Sequence, residues 1–144
     1  MPLAIRQIAF HEADFALCFD IRLIVFVAEQ NVPLEEERDE HEMDGLHFLA
    51  EIDGKPVGTA RALRKGDFVK ITRLAVLREA RGQGIGEALM RHIEAFVPAR
   101  RFALDAQIQA LPFYERLGYI AQGEVFMDAG IPHQRMTKEY TDKI

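Results

Sequence analysis

The sequence predicts an α/β (α+β) fold, with a mixed, mostly antiparallel central sheet of six to seven strands and helices on both faces. Three observations predict this fold. Short apolar or alternating segments mark strands, longer segments carry apolar residues at helical spacing, and an Asp-Gly turn joins two of the strands. Without repeats or linkers in its 144 residues, the chain is expected to form one domain over residues 1–144.

The first strand and the first helix fall within the first 30 residues. Residues 3–10 ("LAIRQIAF") predict a strand, and residues 13–30 predict a helix with Asp14 as a candidate N-cap. One face of this helix carries Phe15, Cys18, Phe19, Arg22, Val25 and Phe26. The acidic stretch 33–45 then connects the helix to the sheet, and we interpret its charges as a solvated face.

Three strands follow as a meander. Residues 46–52 and 57–64 flank the turn "DGKP", in which Asp-Gly is a strong hairpin signal, and residues 67–77 add the third strand. Arg73 lies in that third strand. We interpret it as a solvent-facing residue, with binding of a substrate carboxylate as the alternative.

Helices and strands alternate in the second half of the chain. A helix begins near Gly84 and ends before Pro98, and Glu87 and Arg91 form an i,i+4 ion pair on it. Its predicted buried stripe is Ile85, Leu89, Ile93 and Phe96. A strand over 102–108, a short helix over 110–118, and strands over 119–127 and 132–140 complete the order.

Composition excludes several classes of protein. The formal net charge of −5 argues against a general nucleic-acid binder, which carries a basic surface. No apolar run approaches the ~18 residues of a membrane span, and the N-terminal segment lacks the pattern of a signal peptide. The single cysteine, Cys18, excludes an internal disulfide and fits a reducing compartment. We therefore expect a cytoplasmic protein without a nucleic-acid or membrane partner.

The segment "RGQGIG", residues 81–86, lies between a strand and the start of a helix. Its three glycines let a ligand approach the backbone, the helix dipole attracts an anion, and Arg81 adds a positive charge. A ligand with phosphate or pyrophosphate is expected, and a tight turn alone is the alternative. A P-loop would need a lysine after the last glycine. A dinucleotide-binding turn has a different third spacing, although Asp105 lies where its ribose-binding acid is expected.

Two motifs carry a family resemblance. The stretch "LAVLREARGQGIGEALMRHIEAF" resembles the acetyl-CoA signature of the GNAT superfamily of N-acetyltransferases, Arg/Gln-x-x-Gly-x-Gly/Ala, at Arg81, Gly84 and Gly86. The stretch "QIQALPFYERLGY" resembles the superfamily's Asn-x-x-Ala-x-x-Phe-Tyr-x-x-Leu-Gly-Phe/Tyr motif. Within the superfamily, "VFVAEQNVP", "HFLAEIDGKPVGTAR", "LDAQ" and "AGIPH" are similar to the small bacterial ElaA/YjcF-like branch.

The resemblance implies an enzyme that moves an acetyl group from acetyl-CoA, its acyl-donor co-substrate, to a primary amine by direct attack in a ternary complex. A non-catalytic acyl-CoA-binding or sensing module is the alternative, because the strand "KITRLAV" lacks the acid that many members carry there. A ping-pong route through Cys18 is disfavoured, because that residue lies on the apolar face of its helix. No metal is expected, since no compact metal-ligand signature occurs.

The resemblance also implies a set of cofactor-binding residues. Strand residues 74–76 would offer backbone groups to the pantetheine arm and the thioester carbonyl, where a peptide N–H stabilises a developing oxyanion. Gln107 stands where the family usually has Asn, and Phe113 has core packing as its alternative. The full set is Leu74, Ala75, Val76, Arg81, Gly82, Gln83, Gly84, Ile85, Gly86, Gln107, Phe113 and Tyr114.

Tyr114 is also the candidate general acid, because a phenol with a pKa of about 10 can donate its proton to the leaving sulfur. The base stays open between Glu29, at the end of the first helix, and His133 in "GIPH", since histidine changes charge near neutral pH. For each of these two residues, a surface or capping role is the alternative.

The implied acceptor is a small-molecule or peptide amine. Small metabolites, peptide N-termini, aminoglycosides and protein lysines all stay open, because acceptor loops vary in this superfamily. The acidic run 35–44 lies where its members build part of the acceptor pocket, so attraction of a cationic amine is an alternative to the solvated face. Edge strands near the C-terminus often pair between copies in the family, so a homodimer stays open as well.

Overall fold

A single seven-stranded sheet organises the computed structural model, which describes residues 2–140. The strands are β1 (Leu3–Ile8), β2 (Leu46–Ile52), β3 (Lys55–Lys65), β4 (Phe68–Val76), β5 (Arg101–Gln107), β6 (Ile120–Asp128) and β7 (Ile131–Glu139). Their order across the sheet is β1-β2-β3-β4-β5-β7-β6. Among these strands only β4 and β5 pair in parallel, which confirms the mixed, mostly antiparallel sheet.

Four α-helices accompany the sheet in the described residues: α1 (Phe15–Arg22), α2 (Leu34–Glu37), α3 (Ile85–Phe96) and α4 (Leu111–Arg116). The helix predicted over 13–30 changes its winding part-way, because α1 continues as a π-helix over Leu23–Glu29. At its end the N–H of Gln30 donates to the Val25 carbonyl oxygen, five residues back, at 3.2 Å. Such π-helical segments are rare and frequently lie at functional sites.

Helices cover both faces of the sheet, as predicted. On one face α1 packs over a core that includes Cys18, Ile21, Leu49 and Ala75, and Cys18 is fully buried. On the other face α3 packs over a larger core with Phe48, and α4 joins it at the margin. Phe48 and Leu49 point to opposite faces because successive side chains of a strand alternate.

The predicted buried stripe of α3 is wrong at one position. Ile85, Leu89 and Ile93 are buried, but Phe96 is 71% exposed, and its ring contacts His92 at a tilt of 39° with ring centroids 4.5 Å apart. The helix ends at Phe96, so the following residue, Val97, leaves the helix and fills the core position instead.

The acidic connection is only partly the solvated face that its composition predicts. Glu35, Glu36 and Glu40 are exposed, but Glu37 and Glu42 are buried. The interpretation is wrong for these two residues because their carboxylates both hydrogen-bond the buried guanidinium of Arg22.

The prediction that Arg73 faces solvent is wrong, because its side chain contacts two acidic residues. Its guanidinium Nε lies 3.1 Å from Glu37 Oε2, and one of its amino groups lies 3.2 Å from Asp39 Oδ2. The backbone at Arg73 has φ = 56°, a left-handed conformation that is uncommon outside glycine. A bulge in β4 explains it, because Arg73 and Leu74 lie between the register pairs Arg61↔Thr72 and Thr59↔Ala75.

The bulged strand β4 diverges from its parallel neighbour β5. Their register covers only Val69↔Phe102 and Lys70↔Ala103, although the two strands continue to Val76 and Gln107. Beyond Lys70 the edge of β4 that faces β5 has no strand partner in this register. The resulting gap opens toward the glycine turn and positions the site.

Among residues 2–140, no helix combines the length and the apolar character that crossing a bilayer requires.

Candidate active site

Two clefts open where β4 and β5 diverge, and they share one wall. The glycine cleft, of about 580 Å³, is lined by residues of the glycine turn together with Val76, Phe113 and Leu117. The polar cleft, of about 710 Å³, lies between the end of the π-helix, the acidic connection and the β6–β7 turn. Both clefts are lined by Leu74, Arg81, Ala110 and Tyr114.

The glycine turn exposes its backbone to the glycine cleft. Gly82 and Gly84 have φ near 80°, and a Cβ added at either would meet no atom within 4 Å. The N–H of Ala88 bonds to the Gly84 carbonyl oxygen at 3.0 Å, so the N–H groups of the three preceding residues have no acceptor in α3. These free donors and the positive end of the helix dipole suit a phosphate group.

The last glycine of the turn has a packing role. A Cβ at Gly86 would lie 3.3 Å from the ring of Phe113, so the absence of a side chain lets α4 approach α3 closely. Phe113 thus packs between the helices, in agreement with the alternative of core packing, and it also lines the glycine cleft.

Arg81, in the shared wall, makes hydrogen bonds to two different segments of the chain. Its Nε donates to the Val76 carbonyl oxygen at 2.9 Å, and an amino group donates to Glu29 Oε1 at 2.7 Å. Glu29, a candidate base, is absent from the lining of either cleft, and Arg78 also approaches it, at 3.8 Å. The Glu29 carboxylate is therefore already engaged by an arginine.

Tyr114 lies half-buried in the shared wall. Its ring packs edge-on against Phe113 and Tyr119, with centroid distances of 4.9 and 6.2 Å. Burial raises the pKa of Tyr114 above its ordinary value, so the phenol keeps its proton at neutral pH. The neighbouring Tyr119 hydroxyl is committed elsewhere, because it donates to the buried carboxylate of Glu94 at 2.6 Å.

His133 lines the polar cleft from β7, opposite Gln107 of β5. Its Nδ1 lies 2.7 Å from the Ile131 carbonyl oxygen, and its ring stacks on Phe126. A carbonyl oxygen only accepts, so this bond assigns the hydrogen of the neutral ring to Nδ1. Nε2 is then left with a lone pair. Tyr114 and His133 thus share a cleft, whereas Glu29 lies outside it.

A row of glutamines crosses the polar cleft. Gln107 donates from Nε2 to Gln30 Oε1 at 2.8 Å, and Gln109 donates to the oxygen of Gln107. Gln107 does not line the glycine cleft. Sequence reasoning missed Gln30 and Gln109, whose bonds join the end of the π-helix to the end of β5. Their sequence signal is that Gln30 lies within the quoted "VFVAEQNVP" and Gln109 within "QIQALPFYERLGY".

Most cations of the polar cleft are neutralised by neighbouring acids. Asp105 accepts from Arg135 at 2.6 Å and lies 3.1 Å from Lys70. Burial alone would raise the pKa of Asp105, but these two cations hold it below its ordinary value. Asp105 therefore serves a local ion cluster. Within residues 2–140, no three His, Cys, Asp or Glu side chains converge as a metal-ligand group.

Comparison with known proteins decides the family. The acetyltransferase (GNAT) domain matches residues 23–140 of this chain. The chain belongs to the GNAT acetyltransferase family. Membership in this family assigns it acyl transfer from an acyl-CoA donor.

Relatives of this GNAT chain include the branch that its motifs resemble. The uncharacterized N-acetyltransferase YjcF of Bacillus subtilis is 41% identical over 136 residues, which are 92% of this chain and 97% of YjcF. ElaA of Escherichia coli is 33% identical over 127 residues, 83% of each chain.

Solved structures share the fold. The crystal structure of Escherichia coli ElaA superimposes with a TM-score of 0.83 at 29% identity, covering 96% of this chain and 100% of ElaA. A GNAT acetyltransferase from Elizabethkingia anophelis with acetyl-CoA bound has a TM-score of 0.70 at 17% identity, covering 95% and 97% of the two chains.

Proposed function

We propose that this GNAT chain moves an acetyl group from acetyl-CoA to a primary amine by direct attack in a ternary complex. The observation that carries the proposal is the shared wall: Leu74 and Tyr114 line both clefts. A donor in one cleft and an acceptor in the other would meet at this wall. An acyl-cysteine route has no support, because Cys18 is fully buried on the core-facing side of α1.

The glycine cleft fits the donor. Its free N–H groups and the open space beside Gly82 and Gly84 suit a pyrophosphate, and Arg81 adds positive charge at the rim. Acetyl-CoA supplies a reactive acetyl thioester when it is bound. The residues that would hold it are Leu74, Ala75, Val76, Arg81, Gly82, Gln83, Gly84, Ile85, Gly86, Phe113 and Tyr114. We assign Gln107 to the acceptor side, because it lines only the polar cleft.

The unpartnered edge of β4 supplies polar backbone groups to the gap. Beyond Lys70 this edge carries peptide groups through Leu74 to Val76 that no β5 residue pairs. A peptide N–H aimed at a developing oxyanion contributes about 3–4 kcal/mol to transition-state stabilisation in acyl transfer. We assign this role to the segment 74–76.

Tyr114 is the proton donor of the proposal. Its raised pKa keeps the hydrogen on Oη at neutral pH, so the group stands ready to donate rather than to accept. The position in the shared wall lets it serve a sulfur that leaves from the glycine cleft.

His133 is the proton acceptor of the proposal. The Ile131 carbonyl fixes the hydrogen on Nδ1, which leaves the lone pair of Nε2 for the ammonium proton of an acceptor. Glu29 is the weaker candidate, because Arg81 engages its carboxylate outside the cleft lining.

Release of free thiol from acetyl-CoA, measured over a panel of primary amines, tests the proposal. The panel covers diamines, amino acid amides, peptides with free N-termini, aminoglycosides and lysine peptides. Turnover with at least one amine that persists after treatment with cysteine-blocking reagents supports direct transfer. Tight coenzyme A binding without turnover on any amine would instead identify a binding module.

A further inference from the structure

We propose that Glu29 competes with the acyl-CoA donor for Arg81, and that donor binding moves this guanidinium from the Glu29 carboxylate to a phosphate. The inference rests on the proposed donor site at the glycine turn. It adds a link between that site and the polar cleft, in which Glu29 is a positioning residue rather than a base.

The contacts of Arg81 place it between the two clefts. It is the first residue of the glycine turn, its side chain is 43% exposed, and it lines both clefts. The Glu29 carboxylate at 2.7 Å holds it from the side of the π-helix. The same cation that would meet a bound phosphate therefore already has a carboxylate partner.

Arg81 carries one positive charge, which cannot by itself neutralise both anions. A pyrophosphate at the turn would bring its negative charge close to Glu29, and like charges a few ångströms apart repel. The phosphate has additional partners in the N–H groups of the turn, whereas Glu29 has Arg78 at 3.8 Å as a second cation. Each anion thus keeps a partner if Arg81 moves from Glu29 to the phosphate.

Movement of Arg81 away from Glu29 would change the electrostatic potential in the polar cleft. Glu29 is followed by Gln30, which lines that cleft and accepts the hydrogen bond of Gln107. The Glu29 carboxylate would then keep the more distant Arg78, at 3.8 Å, as its partner, and its less neutralised charge beside this wall would favour an ammonium group in the polar cleft once the donor has bound. Coupling of this kind is reciprocal, so the acceptor would in turn strengthen donor binding.

Calorimetric titration of coenzyme A into the wild type, Glu29→Gln, Arg81→Gln and the double variant tests the exchange. We expect Glu29→Gln to bind coenzyme A about two- to fivefold more tightly, because a partly exposed ion pair no longer has to be broken. This gain should vanish in the Arg81→Gln background. Glu79→Gln is the matched control: Glu79 is exposed near the same turn, and its substitution removes the same charge without touching Arg81.

An unchanged or weaker affinity in Glu29→Gln overturns the exchange, and so does an equal gain in Glu79→Gln or in the Arg81→Gln background. The wild type offers a second readout that needs no variant. Saturation with coenzyme A should shift the carboxyl ¹³C resonance of Glu29, and an unmoved resonance also overturns the exchange.

A glycine variant separates this failure from failure of the donor site. Gly84→Asn puts a side chain into the glycine cleft, while Gly54→Asn makes the same change in the β2–β3 turn, where φ is also +80° and the surroundings are equally open. If Gly84→Asn binds coenzyme A as tightly as Gly54→Asn does, the proposed donor site is wrong. If only Gly84→Asn loses affinity for coenzyme A, the donor site is supported. An unchanged affinity in Glu29→Gln would then reject the exchange but not the donor site.

Discussion

Arg22 donates from Nε to the carboxylate of Glu37 at 2.7 Å, and both side chains are 1% exposed. The same guanidinium bonds Glu42, and Glu37 also accepts from Arg73 in the wall of the polar cleft. A buried ion pair therefore anchors the acidic connection beside the proposed acceptor site.

Glu37→Gln should lower the free energy of unfolding by about 3–5 kcal/mol, because it leaves the buried charge of Arg22 without one of its partners. The measurement is urea denaturation at pH 7. Glu139→Gln is the control, since this exposed carboxylate lies 3.8 Å from Arg101 and should cost less than about 1 kcal/mol. Equal losses in the two variants would contradict the buried role of Glu37.

Stability should fall in acid. Burial alone would raise the pKa of Glu42, but hydrogen bonds from Arg22 hold it below its ordinary value, and Arg61 does the same for the pKa of Asp39. Folded pKa values below the unfolded ones, near 4, stabilise the chain above pH of about 5. This contribution is lost as the pH falls through the folded values.

Urea midpoints between pH 7 and pH 3 check this slope. Asp39→Asn should flatten it, because one depressed carboxyl no longer titrates. A midpoint that stays constant down to pH 3 in the wild type would show that these carboxylates are not coupled to folding.

Tyr114→Phe should lower kcat about 10²- to 10⁴-fold while the affinity for coenzyme A stays unchanged, since only the proton donor is removed. Steady-state kinetics and calorimetry measure the two quantities. In the control Tyr119→Phe, the lost hydroxyl is the one bonded to Glu94, so stability should fall and kcat should change little. Unchanged turnover in Tyr114→Phe, with chemistry rate-limiting, removes the acid role.

His133→Gln should lower kcat about 10²-fold or more, because an amide cannot take up the ammonium proton. The pH–rate profile should also lose the limb in which a base gains activity on deprotonation. His41→Gln, in the acidic connection, is the matched control and should retain both. A His133→Gln variant with the wild-type profile would return the base assignment to Glu29.

Local patterns predicted most of the fold. The apolar segment 46–52 agrees with β2 at both ends, the Asp-Gly turn lies where β2 meets β3, and the glycine turn precedes α3. These features depend on neighbours in the sequence. Helical spacing predicts Phe96 in the core, but α3 ends at this residue and Val97 is buried instead.

The remainder depends on contacts between distant residues. Glu37 and Glu42 look like solvated acids until Arg22 is found 15 and 20 residues away, and Glu29 meets Arg81 across 52 residues. The π-helix that ends at Glu29 has no period that separates it from an α-helix in the sequence. The candidate site was therefore predictable along the glycine turn and α4, but its acidic wall was not.

A crystal structure with coenzyme A and an amine-bearing acceptor analogue tests the shared wall most directly. We expect the pyrophosphate within hydrogen-bond distance of the N–H groups of residues 82–86, and the thiol and the amine on opposite sides of Tyr114. Coenzyme A bound elsewhere, or with its thiol directed away from Tyr114, would contradict this expectation.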